Sequence, residues 1–128
     1  MKEKILIVED NPQNMRLIEM TLAARGYTLL KAIDGREALD IAVREYPSLI
    51  LMDIQLPKLS GLEVTRRLRE MPEFRDIPII AVTAYAMEGD KHKFIMAGCD
   101  AYLSKPVSPR ELLEVIIEML SKHEKSNI

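Results

Sequence analysis

Short apolar runs in this chain end at residues that can do chemistry. Ile5-Leu6-Ile7-Val8 leads into Glu9-Asp10, Leu49-Ile50-Leu51-Met52 into Asp53, and Ile79-Ile80-Ala81-Val82 into Thr83. The weaker run Ala101-Tyr102-Leu103 leads, after Ser104, into Lys105-Pro106. Singly, a strand-end aspartate is most often a helix cap or turn residue. Gathered carboxylates are another matter, because two unit charges about 4 Å apart cost about 4 kcal/mol at an effective dielectric near 20. Lys105 offers one counter-charge. A divalent cation is the natural second: oxygen donors with retained waters suit Mg²⁺, and the Cys and His positions do not cluster here, which disfavours zinc. A carboxylate beside Mg²⁺ and a lysine is a plausible phosphoryl acceptor. Metal and ammonium neutralise the transferring oxygens, Asp53 attacks, and Thr83 can donate a hydrogen bond to a new phosphoryl oxygen. Competing phosphate chemistry lacks its parts: there is no Walker A sequence, and Gly26, Gly35, Gly61, Gly89 and Gly98 are too scattered for a phosphate cradle.

The elements that must position these residues are legible in the pattern. Runs apolar at successive positions are what strands covered on both faces look like. Thr28 to Ala32 is a further strand candidate, interrupted by Lys31. Between the runs lie helical patterns with marked ends. Asn11 caps a first helix with Pro12 at its first position, Met15, Ile18 and Leu22 inward and Gly26 as the stop. A second follows Asp34-Gly35, turns Ala38, Ile41 and Ala42 inward, and ends before Pro47. A third runs from about Leu62 through Val64, Leu68 and Met71 to the break at Pro72. The fourth, near Asp90 to Ala97 before Gly98, is short and polar, so it is marginal alone and a candidate moving part. The fifth opens with the capping box Ser108-Pro109-Arg110-Glu111 and lines Leu112, Leu113, Ile116, Ile117 and Leu120 along one side. Alternating strands and helices imply an α/β fold with a parallel sheet, whose right-handed crossovers put every strand's carboxyl end on one edge, where ligands bind. Topology would therefore gather Glu9, Asp10, Asp53, Thr83 and Lys105.

The 128 residues have room for one domain, expected at 1–121 with a short polar tail at 122–128 that frays. With 18 Lys+Arg against 20 Asp+Glu, the net charge of −2 argues against direct binding to nucleic acid. The single Cys forms no internal disulfide, Ile5 to Val8 is too short for a signal peptide, and no stretch approaches the roughly 18 apolar residues of a membrane span. A cytoplasmic location without membrane insertion is expected. Cys99 reads as a small packed residue, His92 and His123 as solvent-facing, and Arg66, Arg67 and Arg69, mixed with Glu63 and Glu70, as a solvated helix face.

Over about Lys4 to Leu120 the chain resembles the receiver domain of two-component response regulators. The matching segments are Ile7-Val8-Glu9-Asp10-Asn11, Leu51-Met52-Asp53-Ile54-Gln55-Leu56-Pro57, Ser60-Gly61-Leu62-Glu63-Val64, Val82-Thr83-Ala84 and Ser104-Lys105-Pro106. The acceptor loop, Ala84-Tyr85-Ala86-Met87 and Gly98-Cys99-Asp100-Ala101-Tyr102 are most similar to DivK-type single-domain regulators of bacterial cell division and differentiation. The resemblance implies a flavodoxin-like (CheY-like) five-stranded parallel sheet of order 2-1-3-4-5 with helices on both faces. It implies that Asp53 takes a phosphoryl group from a phosphohistidine on a histidine kinase or histidine phosphotransfer protein. Asp10, Asp53 and the main-chain carbonyl of Gln55 would bind Mg²⁺, with Mn²⁺ a substitute, and Glu9 would act through water. Lys105 would pair with the acceptor and then its phosphate, and Lys105-Pro106 would be a cis peptide. Phosphate on Asp53 would draw Thr83, Tyr102 would rotate inward, and the face of helix four, strand five and helix five would change shape for a downstream protein effector. Gln55 and Tyr85 would tune hydrolysis, Met87 lies in the loop that should move, and the protein would be a monomer or weak dimer.

Two other readings compete. A Mg²⁺-dependent aspartyl-phosphate phosphatase generally carries a second aspartate two residues after the nucleophile, and here that position is Gln55. A constitutive adaptor with a relic site is disfavoured by the intact acidic, threonine and lysine set. The expected protein is thus a phosphoacceptor signalling domain rather than an enzyme.

Overall fold

The computed structural model describes residues 3–84 and 88–126, apart from the side chains of 88–90 and 123–126. Strands β1 (Lys4–Val8), β2 (Thr28–Ala32), β3 (Leu49–Asp53), β4 (Ile79–Thr83) and β5 (Ala101–Ser104) alternate with helices α1 (Pro12–Ala23), α2 (Gly35–Glu45), α3 (Gly61–Arg69), α4 (Glu88–Ala97) and α5 (Pro109–Ser126). The strands form one sheet in the order β2-β1-β3-β4-β5, with every pairing parallel. This is the flavodoxin-like, CheY-like arrangement implied by the resemblance.

Alternation of side chains along each strand explains why the runs are unbroken. Ile5, Ile7, Leu49, Leu51, Ile80 and Leu103 pack with α1 and α5, through residues such as Ile18, Leu22, Leu112 and Ile116. Their sequence neighbours Leu6, Val8, Ile50, Met52, Ile79 and Ala81 pack in a second layer with Ala38, Ala42, Val64, Leu68 and Phe94 of α2, α3 and α4. The edge strands are less covered, which is where Lys31 and Ser104 stand exposed.

Helix starts follow the caps. Asn11 Oδ1 accepts from the N–H groups of Gln13 and Asn14 at 2.9 and 3.0 Å. Asp34 Oδ1 accepts from Glu37 N–H at 2.8 Å, Ser60 Oγ from Glu63 N–H at 3.2 Å and Ser108 Oγ from Glu111 N–H at 3.3 Å. Each satisfies a donor that the first turn of a helix leaves open.

Four details depart from the sequence reading. Helix α3 stops at Arg69, and Pro72–Phe74 forms a 3₁₀ turn that buries Phe74. On α5, Ile117 is 42% exposed while Met119 packs inward. The same helix continues to Ser126 where a fraying tail was expected, since Lys122, Glu124 and Lys125 are good helix formers and Glu118 pairs with Lys122 one turn on at 3.3 Å.

Arg69 is the fourth departure. It is no solvated-face residue: its guanidinium donates to Gly98 O at 3.0 Å, to Ile77 O at 2.8 Å, to Phe74 O, and to Asp100 Oδ2 at 2.8 Å. One planar fork thus ties α3 to the segments leading into β4 and β5. Arg69→Met strands these acceptors and should lower stability by about 2–4 kcal/mol, whereas Arg66→Met should change it by less than about 0.5 kcal/mol; urea denaturation of both variants checks the contrast.

Candidate active site

Asp53 ends β3, Glu9 follows β1, Thr83 ends β4 and Lys105 follows β5, so parallel topology brings all four to one sheet edge. Glu9 and Asp53 are each 1% exposed, while Asp10 is exposed. Lys105 Nζ lies 3.1 Å from Asp53 Oδ2 and 3.1 Å from Glu9 Oε1. The turns leaving the strands add backbone donors: Gln55 N–H donates to Asp53 Oδ1 at 3.0 Å and Asn11 N–H to Glu9 Oε2 at 3.1 Å. Gln55 itself is exposed and meets the site through its main chain.

One carboxylate oxygen from each of Glu9, Asp10 and Asp53 lies within 4.8 Å of the others. Glu9 Oε1 is buried without a hydrogen bond. The Lys105 ammonium is near it at 3.1 Å, but its directed contact is with Oε2 at 3.4 Å. A buried carboxyl oxygen without a hydrogen-bond donor among the described residues, beside two further carboxyl groups, fits a hard cation such as Mg²⁺.

Electrostatics point the same way. Burial pushes the Glu9 carboxyl up from 4.5 to about 7; Asn11 N–H and Lys105 oppose the rise, and neighbouring Asp53 adds to it. Burial alone would depress Lys105, but its hydrogen bonds to Asp53 and Glu9 outweigh that and hold the ammonium above its ordinary range. Because the folded-state value of Glu9 is raised, its contribution to stability is complete below 4.5 and is lost as pH rises through about 7. The metal-free protein should therefore lose up to about 3 kcal/mol between pH 5 and pH 8, and saturating Mg²⁺ should abolish the loss. Urea midpoints at both pH values, in EDTA and in Mg²⁺, measure it.

Thr83 is 2% exposed and pairs with Ser104, while Ala81 pairs with Tyr102. Alternation then places Thr83 and Tyr102 on the same face of the sheet, the face covered by α4. Tyr102 is half-buried, its ring tilted 48° against Phe94 at 6.3 Å, and Lys91 Nζ is 5.4 Å from its centroid. The Lys105-Pro106 peptide is cis. Tyr85, Met87 and the side chain of His123 lie outside the described residues. Cys99 is packed at 6% exposure, and burial pushes its thiol up to about 11, so it is no nucleophile at neutral pH.

The sequence pattern set Gly35 and Gly61 aside as too scattered for a phosphate cradle and gave neither a packing role. A Cβ at Gly35 would lie 2.2 Å from Leu59 O, and one at Gly61 would lie 2.1 Å from Asp53 O. The available signal was a capping residue followed at once by glycine, at Asp34-Gly35 and Ser60-Gly61.

The sequence pattern of the response regulator receiver domain matches residues 5–117. The chain belongs to the response regulator receiver family. Over 116 residues the receiver is 50% identical to the polar-differentiation response regulator DivK of Brucella ovis, covering 91% of this chain and 94% of that protein. Among solved structures, the receiver domain of a sensor histidine kinase from Pseudomonas aeruginosa is 39% identical with a TM-score of 0.88, covering 94% of this chain and 99% of that one. That structure holds a magnesium ion in its active-site cleft. A CheY-like receiver protein from Methanospirillum hungatei is 34% identical with a TM-score of 0.91, covering 98% and 99% of the two chains. No helix among the described residues of the receiver is long and apolar enough to cross a membrane.

Proposed function

We propose that this receiver accepts a phosphoryl group from a phosphohistidine onto Asp53 in a Mg²⁺-dependent reaction and signals through phosphorylation-dependent protein binding. The observation that carries the reading is Lys105 Nζ at 3.1 Å from both Asp53 and Glu9, which are buried beside the exposed Asp10. The donor is a histidine kinase or histidine phosphotransfer protein. An Asp53 carboxylate oxygen attacks phosphorus, the nitrogen–phosphorus bond breaks, and the imidazole leaves with its electron pair. Asp10, Asp53 and the Gln55 carbonyl would hold Mg²⁺, or Mn²⁺ in its place, with Glu9 acting through water. The cation supplies charge neutralisation at the transferring oxygens. Lys105 holds the carboxylate in place and then follows the negative charge onto the phosphoryl oxygens.

Thr83 donates to the new phosphoryl group, and Tyr102, on the same face of the sheet, turns inward as space opens. The surface of α4, β5 and α5 then differs between the two states and selects the effector, because only differential contact shifts an equilibrium. Water attack on phosphorus later breaks its bond to the Asp53 oxygen, releasing inorganic phosphate and restoring the carboxylate. Similarity to DivK supports a stand-alone regulator in cell-cycle or differentiation control. On this proposal the receiver spans residues 1–121 and is cytoplasmic, as a monomer or weak dimer.

Incubation with Mg²⁺ and acetyl phosphate tests the proposal. Intact mass should rise by one phosphoryl group with Mg²⁺ and stay unchanged in EDTA. Uptake indifferent to EDTA, or repeated turnover of a stable phosphomonoester as a phosphatase would show, overturns it.

A further inference from the structure

Strand β5 has only four residues and, among the described residues, a single neighbouring strand, so length alone specifies its register on β4 weakly. The site depends on that register. A slip of one residue moves a strand by about 3.3 Å and exchanges its faces. Tyr102 would enter the layer where Leu103 now packs, and Lys105 would leave Asp53.

The features that pin β5 lie at its far end. Asp100 N–H donates to Ile79 O at 2.8 Å, and Asp100 Oδ2 accepts from Ile79 N–H at 2.9 Å. One residue of β4 is thus gripped at both backbone groups, immediately before the first ladder pair, Ile80 with Ala101. The same Oδ2 accepts from Arg69 Nη2 at 2.8 Å, and Arg69 is itself held by Ile77 O and Gly98 O. Gly98 has a φ of +112°, and a Cβ there would lie 2.7 Å from Arg69 Cγ, so the arginine stem is seated directly on the turn before β5. At the other end of the strand, Lys105 N–H donates to Thr83 O at 2.8 Å, which carries the register into the site.

We propose that Asp100, braced by Arg69, is a positioning residue: it sets the register of β5 on β4 and thereby holds Lys105 against Asp53. The kinetic part of its test rests on the phosphoacceptor reading.

The experiment is a double-mutant cycle with Lys105→Ala, read as the rate of phosphoryl uptake from acetyl phosphate. Asp100→Ala should slow uptake about tenfold in the wild-type background, the scale of a misplaced reacting group, and less than about twofold when Lys105 is already absent. Asp100→Asn keeps an acceptor for Ile79 N–H and should stay within about threefold of wild type. If Asp100→Ala does not fold, the cycle is run with Asp100→Asn, whose smaller loss must likewise vanish in the Lys105→Ala background. Equal losses in both backgrounds, or full rate in folded Asp100→Ala, overturn the proposal. A second readout needs no phosphorylation, so it survives failure of the phosphoacceptor reading. The Lys105 side-chain NMR signal, assigned by its disappearance in Lys105→Ala, should move to the position of solvent-exposed lysines in the folded Asp100 variant; an unmoved signal counts against the register claim.

Discussion

Asp53→Asn should leave the protein folded and unable to take up a phosphoryl group. The amide matches the carboxylate in shape, and its oxygen still accepts from Gln55 N–H, which now bonds Oδ1 at 3.0 Å. What disappears is the negative charge that Lys105 faces at 3.1 Å and, with it, the proposed nucleophile. Uptake should fall by at least about a thousandfold, the scale of removing a nucleophile outright. Glu9 is equally close to Lys105, but burial, the largest cause of its raised carboxyl, persists in the variant and disfavours the carboxylate that a nucleophile needs. Labelling that persists in Asp53→Asn would transfer the acceptor role to Glu9 or Asp10. Stability should move the opposite way. One of two buried carboxylates becomes neutral, Glu9 relaxes toward its ordinary range, and Lys105 keeps a partner. The metal-free variant should therefore gain about 1–2 kcal/mol at pH 8, while the stabilisation conferred by Mg²⁺ shrinks with the lost ligand. Intact mass after acetyl phosphate and urea denaturation with and without Mg²⁺ read both effects.

These outcomes depend on an arrangement that is only partly written in residue types. Strands β1, β3 and β4 are legible because both faces are covered, so Ile5 to Val8, Leu49 to Met52 and Ile79 to Val82 carry no polar interruption. The site residues are legible because each stands directly after such a run, where a parallel sheet collects its ligands. Strand order is not legible this way, since periodicity says how a strand is covered and nothing about its neighbour; the order came from the family resemblance. Arg69 was misread for a related reason. Its partners are mostly backbone carbonyls of residues 74, 77 and 98, and carbonyls leave no mark in a sequence. The contrast between Glu9, buried with no hydrogen bond to one oxygen among the described residues, and the exposed Asp10 beside it was hidden as well, because adjacent acids look alike until the sheet turns one of them inward.

Gly61→Ala should damage the fold and the site together. Gly61 opens α3, and its N–H donates to Ile54 O at 3.1 Å. A Cβ there would lie 2.1 Å from Asp53 O, 2.9 Å from Ile54 Cα and 3.0 Å from the Asp53 carbonyl carbon. All three are main-chain atoms, so no flexible side chain can swing aside. Relief requires one of two movements. If α3 withdraws, Val64 and Leu68, both fully buried, lose their packing. If the Asp53 peptide shifts, Ile54 N–H is pulled from Val82 O, now 3.1 Å away, and the carboxylate turns from Lys105. Either way the cost should be about 3–5 kcal/mol, and in molecules that still fold, uptake from acetyl phosphate should drop on the order of a hundredfold, as expected for a reacting group displaced by about 1 Å. Gly26→Asn is the matched control. Gly26 has a φ of 83°, a conformation asparagine tolerates, and it lies beyond α1, away from Asp53. That change should cost about 1 kcal/mol and leave uptake intact. A Gly61→Ala protein with wild-type stability and rate would mean that α3 is not seated on the acceptor peptide, and that the closeness of helix and acceptor has no part in placing the carboxylate.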